Sequence, residues 1–329
     1  MRVLVYSTKP FEKPLLEKAN AGAHQITYTE KRLTSETTIL ASGQDAVSIF
    51  SADDASSIVL EKLKDFGVAY ITLRSAGHDN INKIEASKLK MKVANVPAYS
   101  PNAIAEHAIT LLMAYNRKIT KAQSQTLHYN FLLDNLIGFN LFRKNVGVLG
   151  TGRIGSVLVK ILHGFGCNIL ANDTVSNAQL ISSDAMEYVS KATIFKEAEI
   201  IFVCLPLTEN THHLMNMEFF QRLKQKPIII NIARGAVVDT QAILMALNNE
   251  LISGYATDVY EKEHGVFFYD RSQNKPKDPL LHSLLCHPKV LLTPHQAFAT
   301  NEALKNIAET TITNLNAWAD GNDSVNEIS

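Results

Sequence analysis

Arg234, Glu263 and His295 are the residues of this sequence whose types and positions best suit chemistry on a small anion. Each stands just past an apolar run: Arg234 after residues 227–231 (PIIIN), Glu263 after residues 254–258 (GYATD), and His295 after Val290-Leu291-Leu292. A guanidinium between a hydrophobic strand and Gly235 needs an anion. That anion is either a ligand carboxylate gripped by its planar fork or an acidic side chain of the protein itself. A histidine beside a proline is by itself an ordinary loop residue. Its shared placement with Arg234 and Glu263 is the stronger observation, because ligands of open parallel sheets sit beyond the carboxyl ends of the strands. Ser75-Ala76-Gly77 follows another such run, and its small residues either let backbone N–H groups converge on a carboxylate or simply turn the chain into a helix.

Residues 145–167 (NVGVLGTGRIGSVLVKILHGFGC) show a different chemistry. A short β-branched run ends at Gly150-Thr151-Gly152-Arg153-Ile154-Gly155, and Ile154, Val157, Leu158 and Ile161 then recur at helical spacing. In this strand, glycine turn and helix, Gly150 permits the tight turn, Gly152 admits a pyrophosphate to the backbone, and Gly155 lets helix pack on strand. A second strand, residues 168–172, leads to Asp173, close to the roughly 20-residue spacing of a ribose-binding carboxylate. Asp173 argues for NAD, since a 2′-phosphate would meet like charge there and Thr174-Val175-Ser176 offers no arginine. The apolar run 200–208 ends in Leu205-Pro206, with Thr211 within reach of a dinucleotide bound at that edge.

The elements that must position these residues fall into two α/β sets. Residues 3–6, 25–28, 46–50, 70–73 and 92–96 read as short strands, with helical segments such as 55–66 between them. Ser100 and Pro101 then start a helix expected to run from Asn102 to about Thr126, with Tyr99 a large aromatic at the crossing. Residues 125–143 form a looser stretch of aromatics and asparagines suited to contacts between copies. A mixed polar and aromatic stretch, 264–278, looks like an insertion, and the final helix, residues 301–320, carries one apolar face. The expected fold is thus two doubly wound parallel-sheet domains with a cleft between them: residues 1–100 with 299–329 flavodoxin-like, and residues 101–298 a Rossmann domain.

With 329 residues, 46% hydrophobic, and 32 basic against 32 acidic side chains, no global field invites nucleic acid or an anionic membrane. Residues 1–6 (MRVLVY) turn polar too soon for a signal peptide, and no run approaches a membrane span. Cys167, Cys204 and Cys286 lack metal or redox spacing and read as reduced, mostly buried thiols. A cytoplasmic protein without a metal, acting on a small molecule, is expected.

Together VPAYSPNAIAEHAI (96–109), VGVLGTGRIG (146–155), NIARGAVVD (231–239), ATDVYEKE (256–263) and TPHQAF (293–298) make the chain similar to the D-2-hydroxyacid dehydrogenases over nearly its whole length. Within that family it most resembles the fermentative D-lactate dehydrogenases of bacteria. The resemblance implies a catalytic trio of Arg234, Glu263 and His295, with Ser75, Ala76, Gly77 and Tyr99 around the substrate. For NAD it implies Arg153 and Ile154 at the turn, Asp173, the Leu205-Pro206 edge, Thr211, the Ile232-Ala233 backbone, and Asp258 at the nicotinamide carboxamide. It also implies a homodimer or homotetramer. Cys204 departs from the pattern, since relatives often carry His before the Leu/Val-Pro pair.

The reaction expected is reduction of pyruvate to D-lactate by NADH. Arg234 and the Ala76 and Gly77 amides hold the carboxylate, His295 gives the proton, and Glu263 orients the imidazole. Two alternatives stand beside it. The first is a bulkier 2-oxo acid, decided by pocket shape near Tyr99 and Phe298. The second is an NAD-sensing corepressor-like binding protein, against which the neutral charge and lack of low-complexity tails weigh.

Overall fold

In the computed structural model, which describes residues 1–181 and 186–328, the strands form two parallel sheets. The chain divides into two compact units, Met1–Ser100 with Ala299–Ser329, and Pro101–Phe298.

The first unit holds β1 (Arg2–Val5), β2 (Gln25–Tyr28), β3 (Ala46–Ile49), β4 (Tyr70–Leu73) and β5 (Lys92–Ala94), in the order β2-β1-β3-β4-β5. That is the flavodoxin-like arrangement of a doubly wound sheet. The helix Asn301–Ala319 packs Ala308, Ile312, Leu315 and Trp318 against Val3, Val5, Ala46 and Ala94, and Trp318 stacks on Tyr70 with ring centroids 5.1 Å apart. β5 stops at Ala94, short of the expected 96. Beyond it Asn95 N–H turns to Asn326 O (3.2 Å) and Val96 N–H to Ser75 O (3.1 Å). The C-terminal segment thus takes over the ladder, a long-range pairing that local pattern does not encode.

The second unit holds β6 (Asn145–Leu149), β7 (Asn168–Asn172), β8 (Glu187–Tyr188), β9 (Ile200–Val203), β10 (Ile228–Asn231), β11 (Gly254–Thr257) and β12 (Val290–Leu292), ordered β12-β11-β10-β9-β6-β7-β8. The order reverses at β6, the topological switch point where dinucleotides bind in such sheets. β9, β10 and β11 are buried throughout, as expected of strands covered on both faces.

One expected element is broken. The helix read over 102–126 is two, Pro101–Asn116 and Ile119–Leu127, because Lys118 takes a left-handed φ of +53°. The buried Asn116 side chain explains the break: its amide donates to Phe139 O (2.8 Å) and its oxygen accepts from Phe139 N–H (2.9 Å), tying the helix end to a segment 23 residues away. The cysteines also differ from expectation. Cys167 is buried and Cys204 half-buried, but Cys286, the last residue of the helix Pro279–Cys286, is exposed.

Candidate active site

The glycine turn after β6 is built by steric necessity. Gly150 has φ +94°, and a Cβ there would lie 2.7 Å from Cys204 O; one on Gly155 would lie 2.0 Å from Gly150 O. A Cβ on Gly152 would meet nothing within 4 Å, so the space outside the turn is open where the helix Arg153–Gly164 begins. Arg153 and Ile154 are its first two residues, and the leading N–H groups of a helix lack intrahelical partners, which suits a pyrophosphate.

Asp173 directly follows β7, whose Asn172 is in register with Leu149 of β6. Its Oδ2 accepts from Thr151 N–H (2.6 Å) and Thr151 Oγ1 (3.1 Å), and its Oδ1 from Thr174 N–H (2.6 Å). Desolvation alone would raise this carboxyl. The hydrogen bonds from Thr151, Val175 and Thr174 outweigh it and hold Asp173 below its ordinary value, an ionised acceptor beside the glycine turn. Tyr188, which sequence reasoning missed, braces the same corner through Thr151 Oγ1 (2.7 Å) and Asn177 N–H (2.7 Å).

Across the switch point, desolvation pushes the Cys204 thiol up to about 12, keeping it neutral. Leu205 is half-buried and Pro206 exposed. Thr211 closes their loop, donating to Pro206 O (2.6 Å) and accepting from Thr208 N–H (2.8 Å). At the end of β10, Asn231 shapes the next turn: its Oδ1 accepts from Ala233 N–H (3.0 Å) and its Nδ2 donates to Arg234 O (3.0 Å). Ile232 is buried. Arg234 follows, half-buried, with Nη1 donating to Ala233 O (2.9 Å). Gly235 lets this turn press on the next segment, because a Cβ there would lie 2.1 Å from Tyr260 C.

That neighbouring segment carries Glu263. Its Oε1 lies 2.7 Å from His295 Nδ1, and its Oε2 accepts from Tyr260 N–H (3.1 Å). Both side chains are less than one-fifth exposed. With Nδ1 committed to the carboxylate, Nε2 is the ring nitrogen left to meet another group. Asp258, just past β11 and almost wholly buried, holds the loop that presents His295. Its Oδ1 accepts from Thr293 Oγ1 (2.5 Å) and Gln296 N–H (2.9 Å), its Oδ2 from Ala297 N–H (2.8 Å), and His107 Nε2 lies 3.3 Å from Oδ1. Phe298 ends this loop, buried.

A second histidine–carboxylate pair, His213 Nε2 to Glu261 Oε1 at 2.7 Å, anchors the same segment, with Glu261 Oε2 accepting from Thr240 Oγ1 (2.8 Å). Neither residue was singled out from sequence, since their partners lie 48 and 21 positions apart. Among the described residues no group of three or more His, Cys, Asp or Glu side chains is arranged to hold a metal, and no helix is long and apolar enough to cross a membrane.

In the first unit, Ser75 Oγ donates to Gly77 O (2.7 Å), Asn95 Nδ2 donates to Ala76 O (2.8 Å), and Tyr99 O accepts from Asn306 Nδ2 (2.6 Å). Beneath this loop the buried Arg74 donates from Nε to Glu12 Oε2 (3.0 Å), from Nη2 to Tyr6 O (2.7 Å) and from Nη1 to Ser48 Oγ (3.1 Å).

A reversing parallel sheet, a glycine turn at its switch point, and an acidic residue at the end of the next strand define a dinucleotide-binding domain of the NAD type. Residues 109–297 match the model of the D-isomer specific 2-hydroxyacid dehydrogenase NAD-binding domain, and the chain belongs to that family. It is 41% identical to the D-lactate dehydrogenase of Escherichia coli K12, over all of both chains. The apo structure of the E. coli D-lactate dehydrogenase superposes with TM-score 0.89 at 40% identity over all of both chains. A structure described as the pyruvate reductase of Chlamydomonas reinhardtii does so with TM-score 0.91 at 35% identity, covering 99% of this chain and 98% of that one. The protein is thus an NAD-dependent 2-hydroxyacid dehydrogenase.

Proposed function

We propose that this enzyme reduces pyruvate to D-lactate, reversibly, with NADH. The observation that carries the reading is the 2.7 Å bond between Glu263 and His295 Nδ1, which leaves Nε2 to serve the substrate. The names of the E. coli and Chlamydomonas relatives, a D-lactate dehydrogenase and a pyruvate reductase, support the choice of substrate.

In this reading Arg234 grips the carboxylate through its planar fork, and the Ala76 and Gly77 amides share it, with Ser75, Tyr99 and Phe298 completing the substrate contacts. When bound, NADH supplies the hydride that adds to the carbonyl carbon. His295 gives the proton on Nε2 to the carbonyl oxygen and regains one from solvent, so one proton and one hydride are consumed per lactate. Glu263 fixes the ring's tautomer throughout. Gly150 and Gly155 shape the turn, Gly152, Arg153 and Ile154 take the pyrophosphate, and Asp173 accepts from the adenosine ribose. Leu205, Pro206, Thr211, Ile232 and Ala233 line the dinucleotide, and Asp258 meets the carboxamide while holding the His295 loop.

The same reading makes the protein a cytoplasmic homodimer or homotetramer. Three free cysteines suit a reducing compartment. The helix Ile119–Leu127 buries none of its residues, and Tyr129, Phe131, Leu132, Leu133 and Ile137 beyond it are exposed, a face suited to a second copy. Initial rates with pyruvate and NADH test the chemistry: His295→Gln should lose about 100-fold or more in kcat while binding NADH as the wild type does. Turnover near the wild-type rate would remove His295 from the role of acid.

A further inference from the structure

Phe268 has a backbone conformation and a ring contact that the proton transfer does not account for. Its φ of +66° is left-handed, a region that bulky residues rarely occupy and that recurs where function demands it. Val266 and Phe267 donate their N–H groups to Glu263 O (2.9 and 3.0 Å), so the turn hangs on the residue that holds His295. Phe267 then packs inward, its ring 6.4 Å from that of the buried Tyr260. Phe268, half-buried, packs at the edge of the same core. Its ring centroid lies 5.7 Å from the His295 imidazole and 6.4 Å from the Phe298 ring. His295 is itself left-handed, with φ +55°, so two strained residues meet ring to ring at the proton donor.

We propose that Phe268, with Phe298, walls the subsite for the substrate's side chain and restricts it to a small apolar group, methyl before branched or aromatic. This rests on reading His295 as the acid that protonates a 2-oxo acid. The carbonyl carbon of such a substrate carries an oxygen that seeks Nε2, a carboxylate that seeks Arg234, and a side chain. Two phenyl rings beside the imidazole offer no hydrogen bond to the first two, so the third is what they meet. An apolar wall discriminates by volume, about 10- to 200-fold for each methylene gained or lost.

The test is the ratio of kcat/KM for pyruvate to kcat/KM for 2-oxoisocaproate in wild type, Phe268→Ala and Phe268→Leu. The ratio should fall about 10-fold or more in the alanine variant, through a gain on the bulkier acid as well as a loss on pyruvate, and by a smaller factor in the leucine variant. If the alanine variant fails to fold, the leucine variant, which keeps apolar packing with less volume, decides by the same ratio. A ratio unchanged while both constants drop together would overturn the inference and make Phe268 a positioning residue for His295. A wild type that consumes NADH with neither acid would instead remove the underlying reading, and the inference with it.

Discussion

At the scale of single residues, hydrogen bonds from neighbouring side chains and turns fix how His295 and Arg234 are presented. His295 has Nδ1 on Glu263, and its loop is pinned through Asp258, which leaves one nitrogen for chemistry. The Arg234 turn is shaped by Asn231, and Gly235, which has no Cβ, lets that turn press on the Tyr260 backbone. Arg234→Gln loses a charge-assisted contact, so kcat/KM for the oxo acid should fall about 100-fold, with the affinity for NADH little changed. Parallel initial-rate and NADH-titration measurements check this. The placement of Arg234, Glu263 and His295 past strand ends was legible in the sequence, because each follows an apolar run. Asn231, Glu261 and Phe268 were not, since their roles depend on partners across the fold and on a positive φ that no local pattern announces.

Single elements divide between rigid cradle and buried brace. The glycine turn could be read from spacing alone, because close packing of strand, turn and helix leaves only glycine at Gly150 and Gly155. Asp173→Ala should narrow the preference for NADH over NADPH by an order of magnitude or so, as the carboxylate that repels a 2′-phosphate disappears. Matched kcat/KM values for the two cofactors measure it, and an unchanged ratio would count against the ribose assignment. The Arg74–Glu12 pair beneath the Ser75 loop escaped notice because its members are 62 positions apart. Glu12→Ala strands a buried guanidinium, so a loss of about 3–5 kcal/mol in urea-unfolding stability is expected.

The Glu261 anchor has a pH signature. Desolvation would raise its carboxyl, but hydrogen bonds from Thr240 and His213 hold it below the ordinary value. A group depressed in the folded state stabilises above its unfolded value and loses that contribution as pH falls through the folded one. The difference in urea midpoint between wild type and Glu261→Gln should therefore be present at neutral pH and shrink as pH is lowered through about 4. A constant difference would mean that packing, not charge, is what Glu261 contributes.

For the whole molecule, alternation of short strands and helices was enough to fix two doubly wound parallel sheets, since each apolar run was bounded by turn residues. What stayed hidden was long-range: the break at Lys118 set by Asn116 and Phe139, and the bridge of Glu327 onto Ala94 that ends the first sheet. The exposed apolar stretch beyond Leu127 bears on assembly. If copies pair through it as proposed, Phe131→Ser with Leu133→Ser should shift the protein toward monomer in sedimentation experiments, and unchanged sedimentation would count against that interface.

In the proposed reaction the proton donor held by Glu263 and the hydride from NADH must meet on one carbonyl. Incubating the enzyme with pyruvate and NADH and resolving the product by chiral chromatography tests that most directly. One D-lactate for each NADH consumed is the result expected. L-lactate, or no consumption of NADH with pyruvate or any other 2-oxo acid, would contradict it.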